Sequence, residues 1–115
     1  MRIENARIKS SFLGIDHGQL TAYLQIEWDG LNCSFGGYIL DEYCEQEQIR
    51  KGHAFGSIFI RSVLDTLEVE SWEKLPGTYL RTVDIGSSER ISRIGHIIKD
   101  KWFDPKALSA KYKDQ

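Results

Sequence analysis

Hydrophobic and polar residues alternate along three segments of the first third of the chain, residues 6–12, 20–28 and 33–39. A period of two is typical of strands that bury one face. Turn-forming residues separate the segments, with Asp16-His17-Gly18-Gln19 in the first gap and Asp29-Gly30 in the second. Such sequences favour tight connections between antiparallel strands. We therefore predict three strands joined as a meander.

Two consecutive glycines, Gly36 and Gly37, interrupt the third predicted strand. Glycine inside a strand marks a β-bulge or a place where a ligand or another backbone comes close. Beside Phe35 and Tyr38, the glycine pair would let a planar ligand or a partner strand approach, which makes these two aromatic residues candidate binding residues. The alternative, and the commoner use of such a pair, is a bulge that bends the sheet over a helix.

The hydrophobic period changes after the acidic segment 41–47, where apolar residues begin to recur at the spacing of one helix face. The pattern predicts a central helix over residues 54–68. Near the end of the chain, Asp104 is a good helix cap and Pro105 suits the first helical position. We predict a short C-terminal helix that reaches about Tyr112.

Two further strands are predicted over residues 78–85 and 90–98, joined by a hairpin loop at Gly86-Ser87-Ser88. The expected fold is α+β. It has a mainly antiparallel sheet of about five strands, in the order β-β-β-α-β-β-α, packed on the one central helix.

The composition is that of an ordinary soluble domain. The chain has 115 residues, 41% of them hydrophobic, with 15 Lys and Arg against 17 Asp and Glu, and this length suffices for one buried core. We expect a single compact domain over residues 1–115. No apolar run approaches the roughly 20 residues of a membrane helix, and the first residues lack a signal-peptide core. We expect a cytoplasmic protein with no membrane partner.

The net charge of −2 excludes a polyanion that mimics DNA and a protein that binds nucleic acid over its whole surface. We expect no sequence-specific DNA binding. The charge is uneven, since residues 1–58 carry five basic and eight acidic residues whereas residues 59–115 carry ten and nine. One local basic patch is therefore compatible with the total.

Basic and aromatic residues cluster in the predicted hairpin near the C-terminus. Guanidinium groups beside an aromatic face suit the phosphate and the base of a nucleotide or a short single strand. The alternative is a hairpin whose exposed positions carry charge for solubility. The candidate ligand-binding residues of this cluster are Arg81, Arg90, Arg93, His96, Lys99 and Trp102.

The residues that could perform catalysis are scattered. The histidines His17, His53 and His96 share no metal-binding spacing, so we expect no metal and no cofactor. No nucleophile or phosphate-loop motif is present. A general acid–base role for His96, with Asp100 beside it, is the alternative to a protein without enzymatic activity.

The remaining polar features favour structural roles. Cys33 and Cys44 have neither metal-site nor redox-motif spacing, so we expect free thiols. The acidic segment 41–47 is expected to be a solvated loop. Its alternative use is contact with a basic protein surface.

Three segments together, residues 35–38, 69–77 and 95–105, carry a resemblance. The chain resembles the small uncharacterised proteins of tailed bacteriophages and prophages over nearly its whole length, including a first strand of the type Arg2-Ile3-Glu4-Asn5-Ala6. The resemblance implies a phage or prophage setting. It carries over no catalytic residue.

Small phage proteins that are neither virion components nor enzymes often act by binding. The resemblance therefore implies a non-enzymatic accessory protein for counter-defence or host interaction, which sequesters a signalling nucleotide or blocks a host defence protein. The alternatives are a small nucleotide-processing enzyme and a weak single-stranded nucleic-acid binder. We also expect a possible homodimer through a free face or edge of the sheet.

Overall fold

The computed structural model describes residues 3–84 and 91–112. Its strands are β1 (Ile3–Asp16), β2 (Gln19–Trp28), β3 (Leu31–Ile39), β4 (Asp41–Cys44), β5 (Ile49–Gly52), β6 (Tyr79–Asp84), β7 (Ile91–His96) and β8 (Trp102–Phe103). Its helices are α1 (Ala54–Leu67) and α2 (Pro105–Tyr112), and one 3-10 turn at Trp72–Lys74 precedes β6. The fold is α+β, as the sequence predicts.

Six strands form one antiparallel sheet in the order β3-β2-β1-β6-β7-β8. The predicted meander makes up one half of it, since β1 pairs with β2 and β2 with β3. The sheet has six strands rather than five, because the chain turns back after His96 and the short strand β8 pairs with β7. The predicted strand over 90–98 is therefore too long at its C-terminal end.

The glycine pair in β3 forms the predicted bulge. Ala22 pairs with Tyr38, whereas the next residue of β2, Tyr23, pairs with Gly36, so Gly37 is the additional residue. Both glycines have positive φ, 99° and 84°, which is the region that favours glycine. A Cβ on Gly36 would lie only 2.8 Å from the carbonyl oxygen of Ala22, so the pair also permits a close backbone approach.

The core lies between α1 and the concave face of the sheet. Phe59 of α1 is fully buried, and its ring centroid is 6.1 Å from that of Phe35 in β3 and 5.6 Å from that of Phe103 in β8. The rings of Phe35 and Phe103 also contact each other, with centroids 6.2 Å apart. Because β3 and β8 are the two edge strands, these contacts show that the sheet curls around the helix.

Both predicted helices form, and α1 ends one residue before its predicted end. The Nδ1 atom of His53 caps α1 by accepting the N–H of Gly56 at 3.0 Å. Asp104 caps α2, as predicted, by accepting the N–H of Lys106 at 3.0 Å. In the part of the chain that the structure describes, no helix has the length and apolar character to cross a membrane.

Residues 41–44 of the acidic segment form strand β4, which pairs with β5 as a separate hairpin, so the prediction of a loop is wrong for these four residues, whereas residues 45–47 lie in the turn of the hairpin. Asp41 anchors the hairpin. Its carboxylate accepts hydrogen bonds from Arg50 Nε at 3.1 Å and from an Arg50 terminal nitrogen at 2.8 Å, and it also accepts the N–H of Leu20 at 3.3 Å. This partly buried ion pair and the hydrogen bond from Leu20 join the hairpin to the start of β2.

Replacing Asp41 by asparagine is expected to weaken the acid dependence of stability. Hydrogen bonds from Arg50 are the main reason that the pKa of Asp41 is lowered; burial opposes them, and the N–H of Leu20 and the charges of Arg50 and His53 add to the lowering. Because the folded-state pKa lies below the unfolded value of about 3.9, the carboxylate stabilises the fold above that value, and the stabilisation is lost as pH falls through the folded-state pKa.

The measurement is urea unfolding at a series of pH values from about 7 down to about 3. Asp41→Asn should lose stability less steeply than the wild type over the acidic part of the series. The matched control is Asp65→Asn, which removes an exposed carboxylate paired with Arg61 on α1, where little change is expected. Equal acid slopes for Asp41→Asn and the wild type would contradict the assignment.

Candidate functional site

The outer face of the sheet, defined as the face turned away from α1, brings together three of the predicted binding residues, Arg81, Arg93 and Trp102. Side chains alternate between the two faces along a strand, and each of these three residues adjoins a core residue in its own strand. Those core residues are Leu80, Ile94 and Phe103. Both helices send apolar side chains, Phe59 and Leu108, to the concave side. The outer face is thus the side of the sheet away from both helices.

A cavity of about 320 Å³ opens on the outer face between Ile3, Val83, Arg93 and Trp102. Ile3 lies opposite Val83 in the pairing of β1 with β6, and Val83 lies opposite Arg93 in the pairing of β6 with β7. Ile3 is 62% exposed and Val83 is 4% exposed, so the cavity has an apolar wall that reaches from the surface to a buried side chain. Among the described residues, the guanidinium of Arg93 and the indole of Trp102 form the rest of the lining.

Arg81 and Trp102 form a fixed unit beside this cavity. The Arg81 guanidinium carbon lies 4.6 Å from the centroid of the Trp102 ring, within the range of a cation–π contact. The same guanidinium donates to the carbonyl oxygens of His96 at 2.7 Å and Lys99 at 2.6 Å. Trp102 Nε1 donates to the Asp100 carboxylate at 3.2 Å. These bonds hold the turn between β7 and β8 and orient the indole.

Gly95 makes room for that indole. It lies between Arg81 of β6 and Trp102 of β8 in the strand pairing. A Cβ at this position would lie 2.6 Å from Cε3 and 2.8 Å from Cδ2 of Trp102. The absence of a side chain at Gly95 is therefore the condition for Trp102 to lie across β7.

The other two described members of the predicted basic cluster lie elsewhere, on the side of the sheet that carries α1. His96 pairs with the core residue Leu80, and its Nε2 is 3.8 Å from a carboxylate oxygen of Glu68. Its Nδ1 accepts the backbone N–H groups of Ile98 at 3.1 Å and Lys99 at 3.0 Å. Because Nδ1 accepts, the proton of the neutral ring is on Nε2.

Lys99 is engaged at the C-terminal end of α1. Its Nζ lies 2.8 Å from a carboxylate oxygen of Glu68, and Lys101 Nζ lies 3.3 Å from the same atom. Lys101 also donates to the carbonyl oxygen of Asp65 in the last turn of α1 at 2.8 Å. The hydrogen bond from Lys99 is the main reason that the pKa of Glu68 is lowered. The two lysines thus attach the turn after β7 to the helix, away from the outer-face cavity.

The structure also places the two predicted aromatic binding residues, Phe35 and Tyr38, in different environments. Phe35 is 2% exposed and belongs to the core, so it offers no surface to a ligand and we leave it out of the proposed site. Tyr38 is half-buried, with its ring 5.5 Å from that of Phe55. It lines a second cavity of about 350 Å³ at the start of α1, which is also lined by His53 and by Ser109 of α2.

Arg90 and the loop 86–88 lie outside the described residues, so their contribution to the site stays a prediction. Over residues 3–84 and 91–112, no group of three or more His, Cys, Asp or Glu side chains is placed to hold a metal ion. Cys33 and Cys44, both half-buried, are not joined by a disulfide.

Sequence reasoning gives no binding role to Ile3 and Val83, the two aliphatic residues of the cavity. Apolar strand residues usually face the core, and Ile3 also lies outside the strand that the alternation predicts over residues 6–12. The alternation along each strand does indicate the role, because Ile3 is three positions from the core residue Ala6 and Val83 is three positions from the core residue Leu80. An odd separation places both residues on the face opposite to the core. An apolar residue out of phase with its strand points to an apolar patch on the outer face.

No family model, no curated protein and no solved structure matches this chain significantly.

Proposed function

We propose that this chain acts by binding a nucleotide in the outer-face cavity and does not convert it. The cavity of about 320 Å³ carries the proposal, because its lining joins the Arg93 guanidinium to the Trp102 indole. A guanidinium donates paired hydrogen bonds to a phosphate, and an indole stacks on a base. Ile3 and Val83 supply the apolar surface typical of small-ligand sites, and the volume is at the lower end of their range.

Binding without turnover is favoured over the enzymatic alternative by the contacts of His96 and Asp100. His96 Nδ1 already accepts two backbone N–H groups, and an Asp100 carboxylate oxygen accepts the Trp102 Nε1–H. The imidazole also lies on the side of the sheet opposite the cavity. Neither His96 nor Asp100 is among the described residues that line the cavity, so we assign neither of them a proton transfer to a ligand held beside Arg93.

The resemblance to phage and prophage proteins gives such binding a biological setting as part of the same proposal. A protein that sequesters a signalling nucleotide lowers the free concentration of the activator of a host defence system. This is the counter-defence role, and it needs no chemical step.

We expect Arg93→Gln and Trp102→Leu each to weaken nucleotide binding by about tenfold or more, since a charged hydrogen bond and a stacking contact are each worth about 1 to 3 kcal/mol. The measurement is titration calorimetry with mononucleotides, dinucleotides and cyclic nucleotides, together with chromatography of the same mixtures. Arg61→Gln is the matched control, because its guanidinium lies away from the cavity and pairs with the Asp65 carboxylate of α1. This variant should bind like the wild type.

Each alternative function gives a different result in these mixtures. New products in the chromatograms would contradict binding without turnover. Tighter binding of a short oligonucleotide than of any nucleotide, with an affinity that falls steeply with salt, would indicate a single-strand binder. No heat with any nucleotide would contradict the proposal and favour a host protein as the partner.

A further inference from the structure

Over the second half of β1, one edge of the strand has no partner among the described strands. β6 pairs with β1 only from Ile3 to Arg7, and Ile8 then exchanges backbone hydrogen bonds with Gly77 and Thr78. Beyond this point, residues 10–16 of β1 pair with β2 alone among the strands of the described chain. The free edge is about 20 Å long, at roughly 3.3 Å per residue.

The backbone groups that face this edge follow from the pairing of β1 with β2. Leu20 of β2 directs its carbonyl oxygen away from β1, to the N–H of Leu40 at 2.8 Å, and it lies opposite Ile15. In an antiparallel ladder, the backbone N–H and C=O groups of two opposite residues either both point toward the partner strand or both point away from it. Ile15 therefore presents its N–H and carbonyl to the free edge, and by alternation Leu13 and Ser11 do the same.

Over residues 10–15 the edge lacks the charges and prolines that natural sheets place on exposed strands, and the bulge between Ile8 and Ser10 lies just before this segment. Lysine, proline and inward-pointing charges usually prevent such an edge from pairing with another chain. Residues 10–15 contain neither charge nor proline. The side chains of Leu13 and Ile15 are 40% and 67% exposed. The combination of unpaired backbone groups and exposed apolar side chains marks a surface that another strand would cover.

We propose that a second copy of this chain pairs with this edge in the antiparallel sense, so that the two sheets become continuous. A residue whose backbone groups point to the free edge must lie opposite such a residue of the other copy, because only then can the two exchange hydrogen bonds. The register centred on Leu13 meets this condition and pairs the whole of residues 10–16 with the same segment of the other copy. It places Ser11 opposite Ile15 and Phe12 opposite Gly14, where a glycine leaves room for an aromatic ring.

The charges at the ends of the segment select a second copy as the occupant. Lys9 precedes the segment and Asp16 closes it, and both are exposed. In the antiparallel arrangement, Lys9 of each copy lies beside Asp16 of the other at both ends of the seam. Asp16 also contacts His17 Nδ1 of its own chain at 2.9 Å, which leaves its second oxygen for the lysine. A parallel arrangement would bring like charges together.

The first test is sedimentation equilibrium of the full chain between about 1 and 100 µM, the range in which modest dimers dissociate. We expect a dimer. Leu13→Lys with Ile15→Lys should weaken it by at least about a hundredfold, because like charges would face each other across the seam. The control is Ile98→Lys, which alters a side chain that is 82% exposed in the turn after β7 and should leave the dimer unchanged.

A charge exchange keeps the proposal testable if the lysine variant folds poorly. Lys9→Glu alone and Asp16→Lys alone should each weaken the dimer by about threefold to tenfold, as expected for exposed ion pairs turned into repulsions. The variant with both changes should recover the wild-type affinity. A monomer at every concentration, a dimer indifferent to Leu13→Lys with Ile15→Lys, or a double exchange that stays weak would each overturn the proposal. Because the cavity adjoins Ile3, at the other end of β1, failure here would leave the nucleotide proposal untouched.

Discussion

Replacing Gly56 by alanine should destabilise the protein strongly, although alanine is the better helix former. Gly56 lies in the first turn of α1, where a Cβ would lie 2.2 Å from the carbonyl oxygen of Leu40 and 2.9 Å from its carbonyl carbon. These are backbone atoms, which cannot rotate out of the way, so α1 must move away from the connection between β3 and β4. We expect the free energy of unfolding to fall by about 3 kcal/mol, at the upper end for overpacked cores.

The measurement is urea unfolding of Gly56→Ala beside Gly52→Ala. Gly52, in β5, has no heavy atom within 4 Å of the position of an added Cβ, so it reports the general effect of exchanging glycine for alanine. That effect should be within about 1 kcal/mol. If the two variants unfold at the same urea concentration, then the close approach of α1 to Leu40 is not a constraint on the fold.

The contact at Gly56 illustrates what the sequence can and cannot predict about this fold. The helix itself is predictable, because apolar residues recur at a helical spacing between residues 54 and 67, and β2 is predictable from its strict alternation. The alternation predicts β1 only over residues 6–12, whereas the strand runs from Ile3 to Asp16 and its register shifts between Ile8 and Ser10. A glycine in a helix gives no such pattern. Its role depends on the distance to Leu40, which belongs to a different element, so only the assembled fold reveals it.

The hairpin of β4 and β5 could not be predicted for a different reason. Its two large apolar residues, Tyr43 and Ile49, are 54% and 51% exposed, so the hairpin buries no apolar face and shows no hydrophobic period. A polar contact within it is the ion pair between Asp41 and Arg50. A pair of opposite charges nine positions apart does not distinguish a hairpin from a charged loop.

The candidate site was partly predictable. Arg81, Arg93 and Trp102 were grouped by charge and aromatic character, and the structure places all three on the outer face. The same grouping included His96 and Lys99, which contact Glu68 on the other side of the sheet. The difference arises because the chain turns back after His96, and composition alone does not show on which face of a strand a basic residue lies.

Replacing Gly95 by alanine should strongly disturb the packing of Trp102 on the outer face. The Cβ would collide with Cε3, Cδ2 and Cζ3 of Trp102, at 2.6 to 2.8 Å. The indole must therefore rotate away from β7, which removes its contact with Arg81. We expect a loss of about 2 kcal/mol in stability, typical of an overpacked position, and at least about a tenfold loss of nucleotide affinity if the base stacks on Trp102.

A double-mutant cycle tests the physical cause of this effect. In a Trp102→Leu background the collision is relieved, so Gly95→Ala should no longer lower the free energy of unfolding and should raise it by up to about 1 kcal/mol. Without a collision, alanine in place of a strand glycine is expected to stabilise rather than destabilise, because it reduces the entropy of the unfolded chain. The sign of the change in the free energy of unfolding therefore shows whether alanine at position 95 collides with the Trp102 indole. An equal loss in both backgrounds would show that the indole does not lie over Gly95, and the cavity beside Arg93 would then have a different shape.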